Sequence, residues 1–541
     1  MAEASIAAAA AEYLRALGVE RLYGVPGEDH MRLLDAAQRA GLRYVLAREE
    51  TSACLMATVE AQATGRVGAA AVTLAPGITN AMNGIANAWL DRTPLLVFAG
   101  QHPADRFPLV VRQGLDSRAL VREITKWQVT VTPSVHQVLA RAAELASSDP
   151  PGPVFVELPD DVAQREALDD LGRWWPREDI AGVAGAVSPP SGAVERLGDL
   201  LSRASRPVVL IGGRHLDPAE RAAIRAAVED FRCVALTSPT AKGVLPPDCP
   251  WLAGTFLCSN LDEPLLRRAD CILAIGLDAN DYFNRPWPAF APTVLLERAP
   301  LSQCAFPVEL HVQGDPATVL TALEGRTGRS EWTPGDVSEH RAAVRNALLG
   351  DGTPSGLTQA AAVEHLSGRL PASTLVAVDA GFGKPLTSLL WESRDHPAYF
   401  ASHGLSTMGF GVPAANALQL VYPDRPVLTL LGDGSLLMRA AEIGVASELG
   451  LAPIYVVWLE GRMGQIAVKQ ERLGLAEVGA DFQVPRMEKL ADAFGAWGTE
   501  VDTLDGLDAA VDRALSATRP ALIGVRYEES ERRRLFELLR G

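Results

Sequence analysis

Several things are missing from this chain of 541 residues, and each absence removes a class of function. No Cys-x-x-Cys pair occurs; Cys54, Cys233, Cys249, Cys258, Cys271 and Cys304 lie scattered. That spacing supports neither a disulfide framework nor a zinc ribbon, and it reads as mostly buried thiols in a reducing compartment. No apolar run reaches the ~18 residues that would span a bilayer. The start, MAEASIAAAAAEYLRALGVE, has neither the basic opening nor the long apolar centre of a secretory signal. A cytoplasmic protein with no membrane partner is expected. Positive charge is in deficit, with 50 Lys plus Arg against 66 Asp plus Glu and a formal charge of −16. Nothing supplies the phosphate-neutralising surface of a nucleic-acid binder, so no nucleic-acid partner is expected.

What is present is alternation. At 541 residues the chain suits about three domains, and apolar strand-like runs alternate with helix-like segments throughout. The first set is RLYGVPG, RYVLARE, GAAAVTL, PLLVFAG and PVFVELP. The second is PVVLIGG, CVALTS, DCILAIGL, TVLLER and ELHVQGD, and the third TLVAVDAG, AYFASHG, PVLTLLGDG, APIYVVWLEG and PALIGVRYEE. Linker-like stretches, rich in Gly, Pro or polar residues, separate the sets at about 165–190 and 326–356. The fold class expected is α/β: three doubly wound parallel-sheet domains over 1–165, 190–328 and 355–528. The first and third look alike in layout.

Functional groups in such sheets gather at the carboxyl ends of strands. Residues 431–435 read LGDGS after the run VLTL. By itself this is a tight turn, or Asp433 gripping a divalent cation while Gly432, Gly434 and Ser435 sit beside a phosphate. The next strand-like run, IYVVWL, ends in Glu460-Gly461, which can deliver a second oxygen ligand. Upstream, SHGLSTMGFGVPAANAL sets a Gly-rich loop before a helix. In VLAREETSACLMA, Glu49 and Glu50 open a helix. Adjacent acids there are commonly an N-terminal charge bias, but one of them should point inward.

Taken in order, these pieces resemble the thiamine-diphosphate-dependent enzymes of the acetolactate synthase, pyruvate decarboxylase and benzoylformate decarboxylase group. The likeness runs from GVPGE (24–28) and REETSA (48–53) through TLAPGITN (73–80) and AWLDRTPLLVFAGQ (88–101). It continues with RPVVLIGG (206–213), AKGVLPPD (241–248), STMGFGVPAA (406–415), LGDGS (431–435) and DFQVPRMEKLADAFGAWG (481–498). LGDGS alone is a weak signal; the ordered series is specific.

The resemblance implies pyrimidine-binding, central and diphosphate-binding domains, with thiamine diphosphate and Mg²⁺ held where the first domain of one subunit meets the third of its partner. A homodimer or homotetramer follows from it. Asp433 would ligate Mg²⁺, and Gly432, Gly434 and Ser435 would lie by the diphosphate. Glu50 would hydrogen-bond the aminopyrimidine and promote its imino tautomer. Pro76 and Gly77 would line the cofactor, and Met408 would prop it in its bent shape. Glu28 sits where pyruvate decarboxylases carry a catalytic acid, Gln113 resembles the acetolactate synthase Gln, and His403 and His30 flank site motifs.

Two departures stand out. The family's usual Asn-Asn is Glu460-Gly461 here, which makes Glu460 the candidate second metal ligand. Ala75-Pro76-Gly77 replaces Gly-Pro-Gly. FAD, frequent in acetolactate synthases, is possible but not indicated by any residue. The function implied is decarboxylation of a small, pyruvate-like 2-oxo acid and transfer of the acyl carbanion to a carbonyl acceptor. The alternatives are a decarboxylase or lyase that releases an aldehyde, and a cofactor-free regulatory or binding relative.

Overall fold

The structure, a computed structural model, describes residues 5–103, 105–168, 189, 192–213, 216–282, 291–299, 306–326, 328–350, 357–528 and 532–540. Most of the linker-like stretch at 165–190, part of that at 326–356, and Cys304 lie outside them. The other five cysteines are buried, and no disulfide links them.

Three six-stranded sheets carry the chain, and every pairing within them is parallel. The first runs Arg43–Leu46, Arg21–Gly24, Gly68–Val72, Leu95–Ala99, Pro153–Glu157, Trp127–Thr130. The second runs Leu310–Gln313, Thr293–Glu297, Cys271–Ile275, Pro207–Ile211, Val234–Thr237, Leu252–Thr255. The third runs Tyr399–Ala401, Leu375–Val378, Val427–Gly432, Ile454–Trp458, Ala521–Val525, Trp497–Val501. The first and third share one strand order, 2-1-3-4-6-5 counted along each sheet's own chain.

Central strands such as Leu95–Ala99 and Pro153–Glu157 are buried at every residue. This is why they read as continuous apolar runs: parallel sheets are covered by helices on both faces. The described residues divide into two compact bodies. One holds the first sheet together with Ser402–Asp424 and Met438–Pro453; the other holds the second and third sheets.

Candidate functional site

In the first body, the strand Arg43–Leu46 leads into the helix Glu50–Thr64, and the two adjacent acids divide their work there. Glu49 is the N-cap, accepting hydrogen bonds from the Thr51 N–H at 2.8 Å and the Ser52 N–H at 2.6 Å. Glu50 turns inward and is only 6% exposed. Asn80 Nδ2 donates to Glu50 Oε2 at 3.1 Å. Glu50 Oε1 faces Gly77, where an added Cβ would lie 3.0 Å from that oxygen and 2.7 Å from Thr73 Cγ2. Only a glycine fits beside that oxygen without displacing a neighbour. Burial, together with the Glu50 charge, pushes the nearby Tyr44 hydroxyl well up.

Pro76 and Gly77 open the helix Pro76–Leu90. The loop before the helix Gly411–Val421 is pinned to that same element. The N–H groups of His403 and Gly404 donate to Asp91 Oδ1 at 3.1 and 2.7 Å, and Thr407 Oγ1 donates to Asn83 Oδ1 at 2.8 Å. Met408, one residue on, is half-buried. Arg439 joins the two parts. Its Nε donates to Glu49 Oε1 at 2.9 Å and its Nη1 to the Met408 carbonyl. The structure thus links the helix start that carries Glu50 to the loop that carries Met408 and His403. Glu28 and Gln113 are exposed on loops, Gln113 with φ 59°. His30 is buried, its Nδ1 3.6 Å from Asp29 Oδ2.

In the second body, Asp433 follows the strand Val427–Gly432 and is 2% exposed. Its Oδ1 accepts the Gly434 N–H at 2.8 Å, and its Oδ2 accepts those of Glu460 and Gly461 at 2.7 and 2.6 Å. Burial pushes this carboxyl up despite those N–H groups. Ser435 Oγ is buried without a partner, and a Cβ on Gly432 would meet nothing within 4 Å. The Glu460 side chain turns to the C-terminal segment, accepting from the Tyr527 hydroxyl and pairing with Arg532 Nη2 at 3.0 Å.

A divalent cation with a diphosphate fits at Asp433. The carboxylate is desolvated, Oδ1 keeps a lone pair beyond its single N–H, and the Ser435 hydroxyl has nothing to bond. Among the described residues no group of three or more His, Cys, Asp or Glu forms a ready cage. Mg²⁺ needs none, since it keeps several waters and takes one or two carboxylates plus substrate phosphates. Glu460 fits as a second ligand only by exchanging Arg532 for the cation.

Asn80, Arg439, Tyr527 and Arg532 were not singled out from sequence. Asn80 lies inside the TLAPGITN motif, three residues after Gly77, and that spacing is the one signal that could have found it. The other three are long-range partners with no local signature.

Residues 4–120 match the N-terminal TPP binding domain of thiamine pyrophosphate enzymes, 194–323 their central domain and 379–525 their C-terminal TPP binding domain. The chain belongs to the thiamine pyrophosphate enzyme family and is a thiamine-diphosphate-dependent enzyme. Among its relatives, a Pseudomonas aeruginosa protein described as a probable 2-ketoarginine decarboxylase is 28% identical over 94% of this chain and 92% of its own. The Escherichia coli acetolactate synthase isozyme 2 large subunit is 27% identical over 96% and 94%, and the isozyme 3 large subunit 28% identical over 93% and 90%. A solved structure, described as a thiamin diphosphate-dependent enzyme from Mycobacterium smegmatis, superposes with a TM-score of 0.81. It covers 97% of this chain and 99% of its own at 23% identity, which supports the fold. Among the described residues no helix is long and apolar enough to cross a membrane.

Proposed function

We propose that this enzyme decarboxylates a small 2-oxo acid and transfers the acyl unit to a second carbonyl compound, as a carboligase of the acetolactate synthase type. The observation that carries the reading is the inward, buried Glu50 carboxylate, held by Asn80 and flanked by the bare Gly77. Thiamine diphosphate, when bound, supplies the electron sink that a 2-oxo acid needs to lose CO₂. This chain's own work is to hold and activate it. Glu50 would hydrogen-bond the ring nitrogen of the aminopyrimidine and so favour its imino tautomer. Asp433 would hold Mg²⁺, with Glu460 as second ligand once it exchanges Arg532 for the cation, and Gly432, Gly434 and Ser435 would receive the diphosphate.

Pro76, Gly77 and Met408 shape the cofactor's seat. Gln113, Glu28 and His403 are the substrate-side candidates, and a Gln at position 113 favours carboligation over aldehyde release. The active form is taken to be a homodimer or homotetramer in the cytoplasm.

Aldehyde release is the second reading, favoured by the 28% identity to the 2-ketoarginine decarboxylase. Product analysis separates the two. Enzyme supplied with Mg²⁺ and thiamine diphosphate is incubated with ¹³C-labelled pyruvate and, in parallel, with a guanidino 2-oxo acid. The proposal expects a labelled product with a new carbon–carbon bond from pyruvate; free aldehyde as the sole product from both acids would overturn it.

A further inference from the structure

A cavity of about 220 Å³ lies in the second body, and Asp433 is not among the residues that line it. It is lined by the strand Leu252–Thr255, the helices Pro334–Leu349 and Gln359–Arg369, and the Trp391–Ser393 segment. On its wall is Lys242, 7% exposed, which donates from Nζ to the Trp391 carbonyl at 2.7 Å. An ammonium offers three hydrogens, and no carboxylate pairs with this one among the described residues.

The neighbouring charges are already committed. Glu392 accepts from Arg341 Nη2 at 2.7 Å, and Glu364 from Arg345 Nη2 at 2.9 Å. Asp262 accepts from the N–H and hydroxyl of Ser259 at 2.6 and 2.9 Å. Burial drives His340 down to about 4, so it is neutral at working pH. The other nearby titratable groups are His396, whose Nδ1 lies 3.2 Å from the Lys242 carbonyl, and Tyr399, whose ring centroid lies 6.0 Å from Lys242 Nζ and whose hydroxyl is kept neutral by burial.

We propose that this cavity binds a small monocarboxylate, whose anionic group pairs with Lys242. A buried cation without a counter-charge is costly, and an incoming carboxylate supplies that charge together with acceptors for the spare hydrogens. One lysine balances one negative charge, which disfavours diphosphates and dicarboxylates. The volume admits a ligand of roughly four to eight heavy atoms, below the usual drug-sized pocket. The inference is independent of the carboligase reading.

The pH dependence follows from the same environment. Burial lowers the Lys242 amine to about 7, with Arg341 acting the same way and Glu392 opposing. The amine is charged below that pH and neutral above it, so carboxylate affinity falls about tenfold per pH unit above ~7.

The test uses the full chain with propionate and its uncharged analogue propionamide, followed by calorimetry and ligand-observed NMR at pH 6.5 and 8.5. Propionate should bind the wild type at pH 6.5 below ~20 mM. Propionamide should bind at least tenfold more weakly, and propionate should be lost in Lys242→Met. Val344→Trp, which fills the cavity and keeps the lysine, should also lose it and decides the matter if Lys242→Met fails to fold. No propionate binding by the wild type, equal binding of propionamide, or retention in both variants would overturn the proposal.

Discussion

Ala75 shows at a single residue how a site motif tolerates a departure. It sits at φ 42° and ψ −82°, a conformation that favours glycine. The alanine of Ala-Pro-Gly therefore holds backbone strain immediately before Pro76 and Gly77. We expect stability to follow the order Gly, Ala, Val at this position. Ala75→Gly should stabilise by up to ~1 kcal/mol and Ala75→Val should destabilise by more than that. Thermal unfolding of the three proteins checks the order; a Val variant as stable as the Gly variant would remove the strain.

Glu442 carries the pH prediction. Its Oε1 accepts the Arg48 N–H at 2.9 Å, its Oε2 is buried without a partner, and burial pushes the carboxyl up to about 7. The folded state thus binds a proton between the unfolded carboxyl's pH of ~4.3 and about 7, so this residue's contribution to stability falls as pH rises through that window. Glu442→Gln, which mimics the protonated form, should gain stability relative to wild type at pH 8 compared with pH 5. Melting curves at both pH values test this, and a difference that does not change with pH would contradict it. The division between Glu49 and Glu50 belongs to the same scale. Local residues say only that one acid points inward, and the family resemblance names Glu50; the structure adds Arg439, 390 residues away along the chain, as a partner of the capping Glu49.

At the scale of elements, fifteen strands were legible and three were not. The three are Trp127–Thr130, Leu252–Thr255 and Trp497–Val501, each at one edge of its sheet. Their burial is partial or alternating, so their sequences lack the continuous apolar run that marked the central strands. The opposite edge strands, Arg43–Leu46, Leu310–Gln313 and Tyr399–Ala401, were legible, so it is the missing apolar run and not the edge position alone that hides a strand.

The C-terminal helix Arg532–Arg540 was also unread, yet it supplies the partner of Glu460. The Glu460 and Arg532 side chains are 11% and 7% exposed, so Arg532→Met would take the cation away from a buried carboxylate that keeps the Tyr527 hydroxyl as a partner. That should destabilise by about 3–5 kcal/mol, and adding Glu460→Gln should recover most of the loss. Urea unfolding of the single and double variants measures both. A double variant no more stable than Arg532→Met would show that Glu460 and Arg532 do not act as a pair.

At the scale of the whole molecule, the first and third sheets share one strand order, and each carries a candidate cofactor residue at a strand end. Glu50 stands after a strand of the first sheet, and Asp433 after a strand of the third. The order of motifs along the chain was enough to reach the family. The metal shell was not legible, because whether Glu460 faces a cation or Arg532 is decided by a helix that carries no motif.

The most direct test is calorimetric titration of metal-stripped protein with thiamine diphosphate, with and without Mg²⁺, for wild type, Asp433→Asn and Glu50→Gln. We predict Mg²⁺-dependent binding by the wild type and loss of that dependence in Asp433→Asn. Glu50→Gln should keep binding within about tenfold while losing ~10²–10⁴-fold in turnover of a 2-oxo acid. Thiamine diphosphate binding that ignores Mg²⁺ and survives Asp433→Asn unchanged, or no binding by the wild type at all, would contradict the assignment of this site.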